Sequence, residues 1–154
     1  MSDQQAPVFS IEKIYTKDIS LEIPNAPQIF LERETPEIEV QLRSESSSIS
    51  EDLYQVLLTV TVTAKFGEKT MFLIEVGQAG VFQLRNIPAE NFDPILSVAC
   101  PNVLFPFARE AISDLCNRAG VPPVLLAPVN FDGMYQQRLQ AQQQSVPSGE
   151  VPIQ

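Results

Sequence analysis

The stretch "DLYQVLLTVTVTAKFGEKTMFLIEVGQAGVF" constrains the fold more than any other part of the chain. Two runs rich in Val, Thr, Leu and aromatic residues flank the short turn "FGEK", the pattern of a hairpin. In the first run Tyr54, Val56, Leu58, Val60 and Val62 share one face, and Leu53, Gln55, Leu57, Thr59, Thr61 and Thr63 the other. In the second, Phe72, Ile74, Val76 and Gln78 lie on one side and Met71, Leu73 and Glu75 on the opposite side.

Two earlier segments share the period of two. "DISLEI" sets Ile19, Leu21 and Ile23 against Asp18, Ser20 and Glu22, and "EIEVQLR" turns Ile38, Val40 and Leu42 inward until "SESSSIS" breaks the pattern. Between them "PNAPQIFLERETP" has three prolines and no period, so it is expected to cross as a loop. After "IPAE" the period becomes helical. Phe92, Ile95, Leu96 and Ala99 form one stripe; Leu104, Ala108, Ala111, Ile112 and Leu115 continue it past Pro101. Pro101 is expected to kink or restart this helix, with Asn102 as a cap and Gly120 as a left-handed stop. A shorter helix, "NFDGMYQQRLQAQQQ", follows. The fold class is therefore α+β: a four-stranded antiparallel sheet, a long kinked helix and a shorter C-terminal helix. Residues 1–7 read as a loose N-terminus, 8–141 as one domain and 142–154 as a flexible tail.

Composition narrows the function. The chain contains no histidine, which removes the commonest general base and metal ligand, and with them any Ser-His or Cys-His nucleophile pair. Cys100 and Cys116 are too far apart for a CxxC motif and read as buried hydrophobes. No catalytic residue, metal site or cofactor is expected; a carboxylate enzyme stays open, but no pair stands out. The net charge is −9. Residues 1–52 hold eleven acids against four bases, −7 in all, which leaves −2 for the rest. That balance disfavours nucleic acid and anionic membranes and favours a basic protein partner. "MSDQQAPVFS" has no signal-peptide features and no apolar run approaches the ~20 residues of a bilayer span, so a cytoplasmic protein without membrane insertion is expected.

Two irregular segments, "APQIFL" and "VPPVLLAPVNF", are apolar where loops are usually polar. Proline keeps such backbone from joining a sheet, so these segments either pack down on their own domain or line a groove for extended apolar peptide. "IYTKDISLEIPNAP", "VTVTA", "CPNVLFPFAR" and "LAPVNFD", in this order between about residue 9 and about residue 140, closely resemble the signature segments of the SecB family of bacterial protein-export chaperones.

The resemblance implies an ATP-independent cytosolic holdase assembled as a homotetramer, a dimer of dimers. It would bind unfolded secretory precursor proteins and deliver them to the SecA translocation ATPase. It implies SecA docking at Asp18, Glu22, Leu73 and Glu75, and subunit association involving Ile74, Val76 and Gln78, for which ordinary core is the competing role. It implies a client groove containing Ile29, Phe30, Val124, Leu125, Leu126, Tyr135 and Leu139. A general holdase or adaptor on the same scaffold, not dedicated to secretion, is the alternative. Relatives commonly carry a Trp near the position of Thr35; this chain has none.

Overall fold

The computed structural model describes the backbone of residues 6–150 and the side chains of residues 6–143. Four antiparallel strands, β1 (Val8–Glu22), β2 (Glu37–Ser50), β3 (Leu53–Phe66) and β4 (Lys69–Arg85), form one sheet in the order β1-β4-β3-β2. The expected hairpin is β3–β4, closed by Gly67-Glu68 with Gly67 at φ 61°, a left-handed conformation that glycine adopts without steric cost. Because β1 pairs with β4, the segment between β1 and β2 crosses the end of the sheet, as the proline-rich stretch suggested. Within it, Gln28–Leu31 forms a single 3-10 turn that buries Ile29.

A continuous helical stretch follows: α1 (Ala89–Pro94), a π-helical turn (Ile95–Ala99) and α2 (Cys100–Ala119). The expected cap at Asn102 is not present. Ala99 and Cys100 are already helical, and Asn102 lies inside α2. The π turn is the physical reason. Pro101 has no N–H, and in a regular α-helix its ring would clash with the Ser97 carbonyl. Widening the preceding turn, so that the Cys100 N–H reaches back to Ile95 O, accommodates the proline without a restart. Gly120 ends α2 as expected, at φ 78°. Its N–H meets Asn117 O at 3.1 Å and the Val121 N–H meets Cys116 O at 3.1 Å, a Schellman motif.

The inner face of the sheet and α2 make the core. Val56, Leu58, Val60 and Val62 of β3 and Phe72, Ile74 and Val76 of β4 pack against Leu104, Ala108, Ile112 and Leu115. Ala89–Ala119 is long and apolar enough, by length and composition, to cross a bilayer. That differs from the sequence reading, which broke the run at Pro101; in the fold its apolar stripe lies on the sheet. Helix α3 (Phe131–Glu150) is capped by Asn130, whose Oδ1 accepts from the Gly133 N–H at 2.9 Å. Phe131 then meets Phe105 edge-to-face at 6.0 Å. The helix runs past the boundary read at 141; residues 1–5 and 151–154 of the two expected termini lie outside the described residues.

Two further expectations change. The serine run does not end β2, which continues to Ser50; β3 backs that segment through the pairs Ser44–Leu58, Ser46–Val56 and Ser48–Tyr54. Ile38 and Val40 do face the helix side, yet they are 43% and 38% exposed, because α2 covers the central strands and stops short of both edges.

Cys100 and Cys116 are free and fully buried. Burial pushes the Cys100 thiol from 9.0 up to about 12. Between those values the unfolded chain loses this proton and the folded chain keeps it, so this thiol's contribution makes stability fall as pH rises above about 9. Both thiols should react with an aromatic disulfide reagent orders of magnitude more slowly in the native protein than in urea. Rapid native modification would contradict this packing.

Candidate functional site

The outer sheet face gathers the four residues expected to dock a basic partner. Glu22 pairs directly with Leu73, Ser20 with Glu75 and Asp18 with Gly77, so Asp18, Glu22, Leu73 and Glu75 share one face across β1 and β4. Thr61 on β3 lies opposite Glu75 and donates its hydroxyl to Glu75 Oε1 at 3.2 Å. The site is thus two exposed carboxylates, one half-buried carboxylate and a half-buried leucine.

Its geometry depends on a feature that alternation hides. β1 shifts register between Thr16 and Asp18, with Lys17 as the extra residue. Thr16 pairs with Gln78 on the inner face; without the bulge Asp18 would point inward too. The bulge turns Asp18 outward and Ile19 and Leu21 inward. Gln78, 3% exposed, holds it: its Oε1 accepts from the Thr16 hydroxyl at 3.2 Å, and its Nε2 donates to Tyr15 O at 3.1 Å. Gly77 lies beside it, where an added Cβ would stand in ordinary van der Waals contact, 3.6 Å from Asp18 Cβ and 3.4 Å from Leu57 Cδ1.

Ile74, Val76 and Gln78 are all buried inside this chain's own core beneath α2. Within the chain they are core residues, and Gln78 also positions β1.

The expected groove residues divide. Ile29, Leu126 and Tyr135 are buried, Val124 and Leu139 half-buried, and Phe30 and Leu125 exposed, Leu125 at 80%. They do not line one common cavity: Ile29 borders a hollow of about 280 Å³ with Glu32 and Lys69, and Tyr135 borders another of about 420 Å³ with Leu42, Met134 and Arg138. Leu31, Ile38, Val40 and Met134, outside the expected groove set, are exposed as well. No sequence signal marked Ile38 and Val40, because the place of β2 at the sheet edge and the reach of α2 emerge only in the fold. α3 closes the second hollow through Arg138, whose Nη2 donates to Ser97 Oγ of the π turn at 2.8 Å and whose guanidinium lies 5.3 Å from the Tyr135 ring. Burial, then the neighbouring Asp93 carboxylate, raise the Tyr135 phenol above its ordinary range, against an opposing pull from Arg138. Among the described residues no group of three or more Cys, Asp or Glu could hold a metal ion.

The class defined by this fold and surface is a sheet-and-helix domain with apolar strips at both edges of its helix and an acidic outer face. The family model of the preprotein translocase subunit SecB matches residues 2–142. The protein-export protein SecB of Dechloromonas aromatica is 58% identical over 154 residues, covering 100% of both chains. That of Chromobacterium violaceum is 64% identical over 140 residues, 90% of this chain and 93% of its own. A Mycobacterium tuberculosis SecB-like chaperone, solved with an antitoxin-derived peptide, shares the fold at a TM-score of 0.64 and 14% identity, over 79% of this chain and 90% of its own. The chain belongs to the SecB family.

Proposed function

We propose that this protein is an ATP-independent cytoplasmic holdase of the export route, which binds unfolded precursor proteins and delivers them to the SecA motor. The observation that carries the reading is the near-full-length identity to protein-export SecB proteins. The exposed apolar residues of the crossing loop, the β2 edge and the segment before α3 agree with it. Binding only the unfolded state shifts a client's folding equilibrium by mass action, which requires no catalytic group. Asp18, Glu22, Leu73 and Glu75 would dock the basic tail of the motor. Phe30, Leu125 and their neighbours would touch the client, with Ile29, Val124, Leu126, Tyr135 and Leu139 supporting them. Phe9, Ile11 and Ile19 on β1 and Phe107 on α2 are uncovered in the single chain and would meet other subunits in a dimer of dimers. Ile74, Val76 and Gln78 would then act on association indirectly, through the placement of β1 and α2. Native mass spectrometry should give one assembly of about four times the 17.1 kDa chain mass.

The second reading is a general holdase that does not serve secretion. The SecB-like fold in complex with an antitoxin peptide favours keeping it, and binding to SecA separates the two. A direct test of client holding dilutes a chemically denatured protein into buffer without nucleotide and follows light scattering. The native protein should suppress aggregation, and the Phe30→Asp, Leu125→Asp double variant should lose most of that protection. Full protection by the double variant would remove these residues from the client surface.

A further inference from the structure

We propose that Thr61 of β3 is a positioning residue of the outer docking face: its hydroxyl sets the direction in which the Glu75 carboxylate meets a basic partner. This rests on the docking reading of that face and adds to it a strand that none of the four docking residues occupies.

Glu75 differs from the other two acids of the face. Asp18 and Glu22 stand exposed on β1, an edge strand, whereas Glu75 is half-buried on β4, between β1 and β3. It has a cross-strand neighbour on each side, Ser20 of β1 and Thr61 of β3. Asp18 and Glu22 flank Ser20 two residues away in each direction, which makes them the diagonal neighbours of Glu75, at roughly 7–8 Å in a regular sheet. The Glu75 side chain is flexible and has two ways to lean. Toward β1 it would enter the field of two like charges. Toward β3 it meets a donor, and this is the course it takes: Thr61 Oγ1 lies 3.2 Å from Glu75 Oε1.

No other outer residue of β3 stands opposite a carboxylate of β4. Thr59 lies opposite Gly77 and Thr63 opposite Leu73. Beyond Thr61, Gln41 of β2 is exposed and donates to Glu39 at 3.3 Å rather than to Glu75. The Thr61 bond does two things for a basic segment arriving at the face. It orders a rotamer-rich side chain before binding, so the complex does not bear that cost. It also draws the third negative charge away from Asp18 and Glu22, so that the carboxylates spread across the face instead of crowding at β1. A carboxylate has about four acceptor positions, so Glu75 keeps the capacity to accept from a lysine or arginine.

The test measures binding of the zinc-loaded, basic C-terminal tail of SecA to the full-length protein by titration calorimetry. Thr61→Val removes the hydroxyl and keeps the branched shape and strand preference; it should weaken binding by about three- to tenfold. Thr61→Ser restores a donor and should bind within about twofold of the native protein. The same Thr61→Val change is then made on a Glu75→Ala background. With no carboxylate to place, it should have no further effect, a non-additivity that a merely structural role in the strand would not give. Native affinity in Thr61→Val, a Thr61→Ser variant as weak as Thr61→Val, or an equal loss with and without Glu75 overturns the proposal. If Glu75→Ala by itself binds like the native protein, Glu75 does not dock the tail, and the reading of the face fails at that residue as well.

Discussion

Leu104→Ala lowers the folding stability by about 2–5 kcal/mol, the range for removing a fully buried leucine from a core that cannot collapse around the gap. Leu104 meets β4 at Gly80. A Cβ built on Gly80 would lie 3.1 Å from Leu104 Cδ2 and 2.7 and 2.9 Å from the Phe82 ring. That ring cannot easily yield, because it is buried and stacked on Phe9 at 5.9 Å. Gly80→Ala therefore overpacks the same spot and costs about 1–3 kcal/mol. The two changes are coupled: the space vacated by Leu104 relieves part of the clash, so the double variant should be more stable than the sum of the single losses predicts. Urea unfolding at fixed chain concentration measures this. Full additivity would mean that α2 does not press on Gly80.

Reversing two charges on the outer face has the largest expected effect on function. Asp18→Lys with Glu75→Lys turns two attractions toward a basic tail into repulsions on the face where Glu22 and Leu73 also lie. An exposed pair contributes about 0.2–1 kcal/mol, reversal roughly doubles the change, and two residues are reversed, so docking should weaken by about 1–4 kcal/mol, roughly 5- to 1,000-fold. Titration calorimetry with the zinc-loaded, basic C-terminal tail of SecA checks this. Capture of denatured client should not change, because both residues point to the outer face, opposite the apolar strips. Gln78→Leu offers an indirect route to the same loss. It removes the hydrogen bonds to Thr16 and Tyr15 that hold the bulge, and should weaken docking while leaving all four face residues in the sequence.

The strands were legible because one face of each carries a period of two, and the same alternation in "DISLEI" and "MFLIE" put Asp18 with Glu22 and Leu73 with Glu75 on like faces, the positions at which the family resemblance implied docking. The bulge at Lys17 was not legible, since an extra residue in β1 shows only when β4 is laid beside it. Pro101 read as a break because a missing N–H and a clash with the preceding turn usually end a helix; a local π turn absorbed both. The serine run in β2 read as a break in the strand pattern for want of apolar residues, yet an edge strand backed by β3 needs none. The proposed client surface was the least legible part. Apolar loop residues mark either packing or exposure, and only the fold separates buried Ile29 and Leu126 from exposed Phe30 and Leu125. Edge residues such as Ile38 and Val40 look like any core-facing pair until the reach of α2 is known.

The central claim is that this protein holds unfolded polypeptide without nucleotide. One secretory precursor, chemically denatured in one sample and fully folded in another, is diluted into the protein, and complexes are read by native mass spectrometry. Capture of the denatured form alone is the predicted result. Capture of neither form, or of both equally, would contradict it.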